Sequence, residues 1–78
     1  MTNLEKYENA FIETFGVEKD QFESLEYQSI TEWDSIGHMS LMAALEEAFD
    51  IMMDTDDIID FSSFEKGKEI LRKYDVEL

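Results

Sequence analysis

The sequence contains no cysteine and no proline, and only three of its 78 residues are glycine. The absence of cysteine excludes a disulfide framework, a thiolate metal site and a cysteine nucleophile. Because proline is missing and glycine occurs only at Gly16, Gly37 and Gly67, few positions would interrupt a helix. These absences favour a helical chain whose chemistry depends on other side chains.

Basic residues are also scarce, since six lysines and arginines stand against 20 acidic residues and the formal net charge is −14. Such a field repels nucleic acid and anionic membrane surfaces, which argues against both as partners. It attracts basic protein surfaces and divalent cations instead. High net charge with few apolar residues would leave a chain disordered, but 44% of these residues are hydrophobic and 13% are aromatic. We therefore expect a folded domain.

No segment reaches the roughly 18 consecutive apolar residues that a membrane-spanning helix needs. Residues 1–5 lack the basic start and apolar run of a signal peptide, so we expect a cytoplasmic protein without membrane insertion. The length predicts a single domain over residues 1–78, which we expect to be a monomer. A domain this small has one modest core and little room for an enclosed catalytic cavity.

The first predicted helix covers about residues 3–15. Thr2 or Asn3 can cap its start, and Gly16 stands where a left-handed residue would end it. Its apolar residues recur with the spacing of one helix face: Leu4, Tyr7, Phe11, Ile12 and Phe15.

Residues 17–34 show no clean period and form a long first loop, with a short helical turn near residues 20–24. A loop of this length is unusual in a compact domain and tends to be functional or partly helical. Spaced apolar residues are expected to clamp it onto the core: Phe22, Leu25, Tyr27, Ile30 and Trp33.

The second predicted helix covers about residues 35–50, with Asp34 as its N-cap. Glu46, Glu47 and Asp50 are expected to point into solvent. The expected buried stripe is Ile36, Met39, Met42, Leu45 and Phe49, with Leu41 and Ala48 beside it.

Two further helices complete the predicted fold. A brief one covers about residues 56–60, capped by Asp54 or Thr55, with Ile58 and Phe61 facing inward. The last begins at Ser62 or Ser63, and Ser62 with Glu65 has the spacing of a capping box. It is expected to run to about Tyr74 and to bury Phe64, Gly67, Ile70 and Leu71. The short connections favour a compact all-α bundle of four helices, the third of them short.

The most informative stretch is WDSIGH, residues 33–38. Ser35 directly follows an N-capping aspartate, so its hydroxyl lies at a helix start among unpaired backbone N–H groups, which favour a phosphate. A nucleophilic serine would need a nearby base and an oxyanion hole, and the chain has no G-x-S-x-G elbow. We therefore interpret the Ser35 hydroxyl as a substrate for another enzyme.

This serine belongs to a longer pattern. Asp34-Ser35-Ile36 is followed by LMAALEEAFDI over residues 41–51. The combination resembles the acyl carrier protein family, in which Asp-Ser-Leu/Ile precedes an apolar helix ending in Leu-Glu-Glu-x-Phe. The resemblance continues at Phe15-Gly16-Val17 and at the apolar residues Ile58, Phe61, Phe64 and Leu71.

The resemblance implies a four-helix bundle of acyl-carrier type and a non-catalytic function. A phosphopantetheinyl transferase would move the 4′-phosphopantetheine arm from coenzyme A to Ser35, with Asp34 as cap and as part of the transferase's recognition site. The cargo would be an acyl group, held as a thioester on the arm. Acyl-loading and acyl-using enzymes would use their own basic surfaces to dock on this chain. The residues that they would contact are Ile36, Met42, Glu46 and Glu47.

The chain also departs from the family pattern. Gly37, Ser40 and Ala48 stand where fatty-acid-synthesis carriers usually or often have acidic residues. Trp33 and the Gly37-His38 pair look more like specialised carriers, some of which bear aminoacyl groups. An aminoacyl or peptidyl carrier is therefore an open alternative. His38 is close enough in sequence to approach the phosphate, although a lone histidine is more often incidental.

A different alternative is calcium binding by residues 54–65. Five of these residues match the ligand positions of an EF-hand loop: Asp54, Asp56, Asp60, Ser62 and Glu65. Ile58 and Ile59 argue against it, because they replace a ligand and the glycine of the sharp turn. We therefore expect no metal site. A third alternative is an interaction module of the same fold whose serine is never modified.

Overall fold

The structure is a computed structural model that describes residues 1–78. It contains no strand, and its only β-type pairing is an isolated bridge between Glu26 and Ser63. The predicted all-helical class is confirmed. The chain forms four α-helices, and a 3₁₀ helix lies between the first two: α1 (Asn3–Phe15), the 3₁₀ helix (Lys19–Ser24), α2 (Ser35–Phe49), α3 (Thr55–Asp60) and α4 (Phe64–Arg72). None of these helices is both long enough and apolar enough to cross a bilayer.

Local signals set both ends of α1. Thr2 Oγ1 accepts from the Glu5 N–H at 3.1 Å, and Glu5 Oε1 accepts from the Thr2 N–H at 3.0 Å. This capping box satisfies two N–H groups at the helix start. Gly16 adopts a left-handed φ of 68° and donates to the Ile12 carbonyl, which ends the helix. Leu4 is 38% exposed, so the buried face begins at Tyr7 rather than at Leu4.

Aromatic rings dominate the core around α1. Phe11 is fully buried, and its ring lies 5.0 Å from the rings of Tyr7 and Phe64. Phe22 of the 3₁₀ helix stacks on Phe64 at 4.3 Å. Phe15 stacks on Trp33 at 5.2 Å and so brings the end of the long loop to α1. The rings thereby join α1, the loop and α4 into one apolar cluster.

The loop over residues 17–34 is attached to the start of α4 by backbone hydrogen bonds. The Tyr27 N–H donates to the Ser62 carbonyl at 2.8 Å, and the Phe64 N–H donates to the Leu25 carbonyl at 3.0 Å. Leu25 is buried, like Phe22 and Trp33, as the clamp hypothesis predicts. Tyr27 departs from that expectation, because it is 37% exposed.

The buried stripe of α2 differs from the predicted one. Ile36 and Met39 are 79% and 55% exposed, and Ala48 is also exposed. The inward face instead follows the spacing i, i+3, i+4, i+7, i+11 and consists of His38, Leu41, Met42, Leu45 and Phe49. Counting only apolar residues hid this stripe, because its first member is a histidine.

The last helices also differ from expectation in detail. Of the two predicted caps of α4, Ser63 is the one used, since its Oγ accepts from the Lys66 N–H at 2.9 Å, and the capping box predicted for Ser62 and Glu65 does not form. The helix ends at Arg72, before the predicted Tyr74. A Cβ on Gly67 would overlap the Phe61 ring and the Tyr7 hydroxyl, so glycine allows α4 to approach this part of the core.

Candidate functional site at the start of helix α2

Ser35 is the first residue of α2, and its side chain is exposed. Asp34 caps the helix: its Oδ1 accepts from the Gly37 N–H at 2.8 Å, and its carbonyl accepts from the His38 N–H at 2.8 Å. The N–H groups of Ser35 and Ile36 make no hydrogen bond within the chain. The serine hydroxyl is therefore flanked by two free donors at the positive end of a helix.

Gly37 has a packing function that the sequence alone did not reveal. A Cβ at this position would overlap the Glu32 carbonyl oxygen and lie 3.2 Å from the Phe15 ring. The glycine thus lets the first turn of α2 lie directly against the preceding turn. Any larger residue at this position would be displaced from that contact.

Tyr27 is a site residue that the sequence analysis placed only in the loop clamp. Its hydroxyl oxygen lies 3.2 Å from Ser35 Oγ, so one hydroxyl donates to the other. The two residues are eight apart in sequence, in a loop without periodicity. Nothing in the sequence pattern indicates that they meet, because the meeting depends on the bond between Tyr27 and the start of α4.

A pocket of about 370 Å³ opens beside Ser35. Its lining is mostly apolar, and Ser35 itself belongs to the lining. α3 contributes Ile58 and Ile59 to one side, and α2 contributes Met39. The remaining lining residues are Tyr27, His38, Phe61 and Ser62. An apolar pocket with a few polar groups at its mouth is a common form of ligand site.

His38 does not face the Ser35 hydroxyl as a base would. The indole N–H of Trp33 donates to His38 Nδ1 at 2.9 Å, and His38 Nε2 lies 2.7 Å from the Ile58 carbonyl oxygen. Because Nδ1 accepts, the proton is on Nε2, which donates to Ile58. Both ring nitrogens are therefore engaged in linking the long loop, α2 and α3. The phosphate contact considered for His38 is replaced by this structural link.

The far side of α3 carries a second polar link. Asp57 is only 6% exposed, although aspartate side chains mostly lie on the surface. Its carboxylate accepts from Lys73 Nζ and from the Tyr74 hydroxyl, each at 2.5 Å. Both donors hold the pKa of Asp57 below its ordinary value, and Lys73 has the larger effect. The hydrogen bonds to Asp57 in turn raise the pKa values of Lys73 and Tyr74.

Of the four predicted docking residues, two lie on the surface, one is half-buried and one is buried. Ile36 is 79% exposed directly beside Ser35, and Glu47 is exposed on α2. Met42 is 1% exposed in the core, so a partner cannot reach it. Glu46 is half-buried, and its Oε2 accepts from the Met53 N–H at 2.9 Å. Its carboxylate is thus engaged in holding the link to α3 instead of pointing into solvent.

The charge is distributed unevenly along the chain. Residues 20–65 contain 13 of the 20 acidic residues and no lysine or arginine. The window considered for calcium is occupied by α3 and the start of α4, and no group of three or more acidic or histidine side chains is placed to hold a metal ion. The sequence on both sides of Ser35 is therefore strongly acidic.

Comparisons with known proteins return no match: no protein-family model, no curated protein and no solved structure matches this chain. The functional conclusion therefore rests on Ser35, its surroundings and the sequence pattern that contains it.

Proposed function

We propose that this protein is a carrier that bears acyl intermediates as thioesters on a 4′-phosphopantetheine arm joined to Ser35. The observation that carries the proposal is the exposed Ser35 hydroxyl at the first turn of α2, beside two free N–H groups and an apolar pocket. The helix arrangement supports it, because a long first loop and a short third helix are what the resemblance to acyl carrier proteins implies.

The attachment step uses coenzyme A and a separate transferase. Ser35 Oγ attacks the phosphorus that bears the pantetheine group, a new O–P bond forms, and the P–O bond to 3′,5′-ADP breaks. The hydroxyl proton passes to a base of the transferase, because His38 has both ring nitrogens engaged within this chain. The arm then supplies the thiol that the cysteine-free chain lacks. The product is a phosphodiester with one negative charge at a helix start.

The surroundings of Ser35 support a carrier over a hydrolase. No base is free to activate the hydroxyl, and Tyr27 is its only side-chain partner. The pocket beside Ser35 is apolar enough to shelter the first part of a cargo chain that folds back along the arm. Exposed Ile36 and Glu47 belong to the surface that partners with basic patches would meet.

The decisive experiment is to incubate the protein with coenzyme A and a broad-specificity phosphopantetheinyl transferase and to measure the intact mass. Wild type is expected to gain one phosphopantetheine group. Ser35→Ala gains none, while the control Ser40→Ala, which removes another exposed hydroxyl of α2, is modified like wild type. If wild type keeps its unmodified mass while a known carrier in the same tube is converted, the chain is an interaction module instead.

A second assay separates the two cargo classes. The modified protein is offered to acyl-activating and to aminoacyl-activating enzymes of broad specificity, and the thioester is identified by mass. Loading by acyl donors supports the proposal as stated. Loading by amino acids alone would make the protein an aminoacyl carrier, because either cargo is joined to the arm by the same thioester chemistry.

A further inference from the structure

We infer that Tyr27 is a positioning residue for the arm: its phenol hydroxyl holds the phosphate of the phosphopantetheine group once that group is joined to Ser35. This inference rests on the proposed function, since it describes the same site after modification. It assigns a role to a loop residue that lies outside the WDSIGH stretch and that the sequence pattern does not single out.

The geometry places a donor where the phosphate forms. Tyr27 Oη lies 3.2 Å from Ser35 Oγ, and before modification either hydroxyl can donate to the other. After modification, Ser35 Oγ is an ester oxygen without a proton, so only Tyr27 can donate. The non-bridging phosphate oxygens lie two bonds from Oγ, through the phosphorus, and share the negative charge. Hydrogen bonds to such anionic acceptors are stronger than those between neutral groups, so the phenol is expected to turn to them.

Tyr27 is held in place although it lies in a loop. Its N–H donates to the Ser62 carbonyl at 2.8 Å, which attaches it to the start of α4. Its ring packs edge-on against His38 at 5.4 Å and against Trp33 at 6.5 Å. The hydroxyl is therefore positioned before the phosphate arrives, and little conformational entropy is lost on forming the contact.

The charge distribution explains why a neutral donor is used. Residues 20–65, which include every residue that lines the pocket beside Ser35, contain no lysine or arginine. Four of the six basic side chains are paired with carboxylates: Lys19 with Glu8, Lys66 with Glu69, Lys68 with Glu65 and Lys73 with Asp57. The phenol and the free backbone N–H groups are thus the donors that this part of the chain offers to a phosphate.

The position of Tyr27 also has a consequence for the arm. Tyr27 and Ser35 both line the pocket of about 370 Å³. A phosphate bound between them lies at the mouth of that pocket, so the pantetheine chain starts beside the apolar lining. The contact therefore biases the arm toward the pocket rather than toward open solvent.

The test compares Tyr27→Phe with wild type, each prepared unmodified and modified. Phenylalanine keeps the ring contacts and removes only the hydroxyl. We measure the change in melting temperature that modification causes, so that any general effect of the substitution or of the added charge cancels. This change is expected to be more favourable in wild type than in Tyr27→Phe by about 4–8 °C, because a hydrogen bond to the charged phosphate is stronger than the neutral Tyr27–Ser35 bond that the substitution removes from the unmodified protein.

The phosphorus-31 NMR signal of the modified protein gives a readout that a merely structural role would not move. The phosphodiester resonance is expected to differ between wild type and Tyr27→Phe. It is expected to be unchanged in Ser40→Ala, which removes an exposed hydroxyl of α2 that does not line the pocket.

Equal melting-temperature changes and identical phosphorus signals in wild type and Tyr27→Phe would overturn the inference and leave the carrier function intact. Failure of wild type to accept the arm would overturn both. The two kinds of failure are therefore distinguished by the intact mass alone.

Discussion

The side of the molecule built from α1, the 3₁₀ helix and the start of α4 is joined by aromatic rings, whereas α3 is joined to its neighbours mainly by hydrogen bonds. Phe11 alone lies within 6.3 Å, ring to ring, of six other aromatic side chains. In α3, by contrast, only Asp57 of six residues is buried. Polar groups of His38, Tyr74 and Lys73 hold this helix from two sides.

The difference matters because the two kinds of attachment fail differently. Ring packing is non-directional and shared among many contacts, so it is lost only when the core opens. Hydrogen bonds are directional and few, so each can be removed singly. α3 is also the wall of the pocket beside Ser35, to which it contributes Ile58 and Ile59. The element that borders the proposed site is thus the one whose attachment can be loosened without unfolding the rest.

The largest effect is expected from breaking the aromatic side. Phe11→Ala removes a fully buried ring and should lower the free energy of unfolding by about 3–5 kcal/mol. That loss is comparable with the whole stability of a small domain, so much of the protein should be unfolded at 25 °C. Urea denaturation followed by circular dichroism measures it.

The control for this prediction comes from the polar side. Ile59→Ala truncates a side chain that is 72% exposed on α3, and it should change the free energy of unfolding by less than about 0.5 kcal/mol. A loss below about 1 kcal/mol for Phe11→Ala would mean that the rings are not the source of stability.

A smaller effect, centred on α3, is expected from His38→Ala. The substitution leaves the Trp33 indole N–H and the Ile58 carbonyl without their partner, at a cost of about 1–3 kcal/mol. Trp33 is the only tryptophan, so its fluorescence reports this contact directly. Amide hydrogen exchange in α3 should accelerate more than exchange in α1. Met39→Ala, the next residue and 55% exposed, is the control and should leave both signals unchanged.

The same two sides differ in how far the sequence predicts them. The ends of α1 follow from Thr2, Glu5 and Gly16, because a capping box and a left-handed glycine are local signals. The start of α2 at Ser35 is also set by a local signal, the Asp34 cap. Signals of this kind need no knowledge of what lies opposite in the fold.

The polar attachment of α3 could not be predicted, because each link joins residues that are distant in sequence. His38 reaches the Ile58 carbonyl across 20 residues, and Asp57 reaches Lys73 across 16. A polar side chain is interpreted as exposed until its partner is known, so the sequence indicates neither the burial of Asp57 nor the two hydrogen bonds of His38. Met42 is assigned both to the buried stripe by its spacing and to the docking surface by the resemblance, and its 1% exposure agrees with the first assignment and contradicts the second.

The link through Asp57 predicts a specific dependence on pH. Because the pKa of Asp57 is lower in the folded chain than in an unfolded one, its contribution to stability is present above an ordinary aspartate pKa of about 3.9 and is lost as the pH falls through the folded value. Asp57→Asn should therefore be less stable than wild type between pH 5 and 7, and the difference should shrink below about pH 4. Urea unfolding at each pH measures it.

Asparagine keeps one acceptor for Lys73 or Tyr74. The decrease in the free energy of unfolding at pH 7 should therefore be smaller for Asp57→Asn than for His38→Ala. Asp56→Asn is the matched control, because it neutralises an exposed carboxylate of the same helix without removing an ion pair. A pH-independent difference for Asp57→Asn would mean that the carboxylate charge does not hold α3 to α4.

The smallest effects are expected from substituting two neighbouring glutamates of α2, Glu46 and Glu47. Comparing the two variants distinguishes a residue that holds the connection to α3 from a residue that a partner enzyme would contact. Glu46→Ala removes the acceptor of the Met53 N–H in the connection to α3 and should cost about 1 kcal/mol in the free energy of unfolding. Glu47→Ala removes an exposed carboxylate and should change stability by less than about 0.5 kcal/mol.

The order reverses when binding to a partner enzyme with a basic docking surface is measured. Glu47→Ala should slow association at low salt, since an exposed charge mainly affects the encounter rate, and the effect should fade as salt is added. Glu46→Ala should change the rate less, because its carboxylate is already engaged with Met53. If both variants slow association equally and neither alters stability, Glu46 belongs to the docking surface. The hydrogen bond from the Met53 N–H to Glu46 would then contribute little to the stability of the connection to α3.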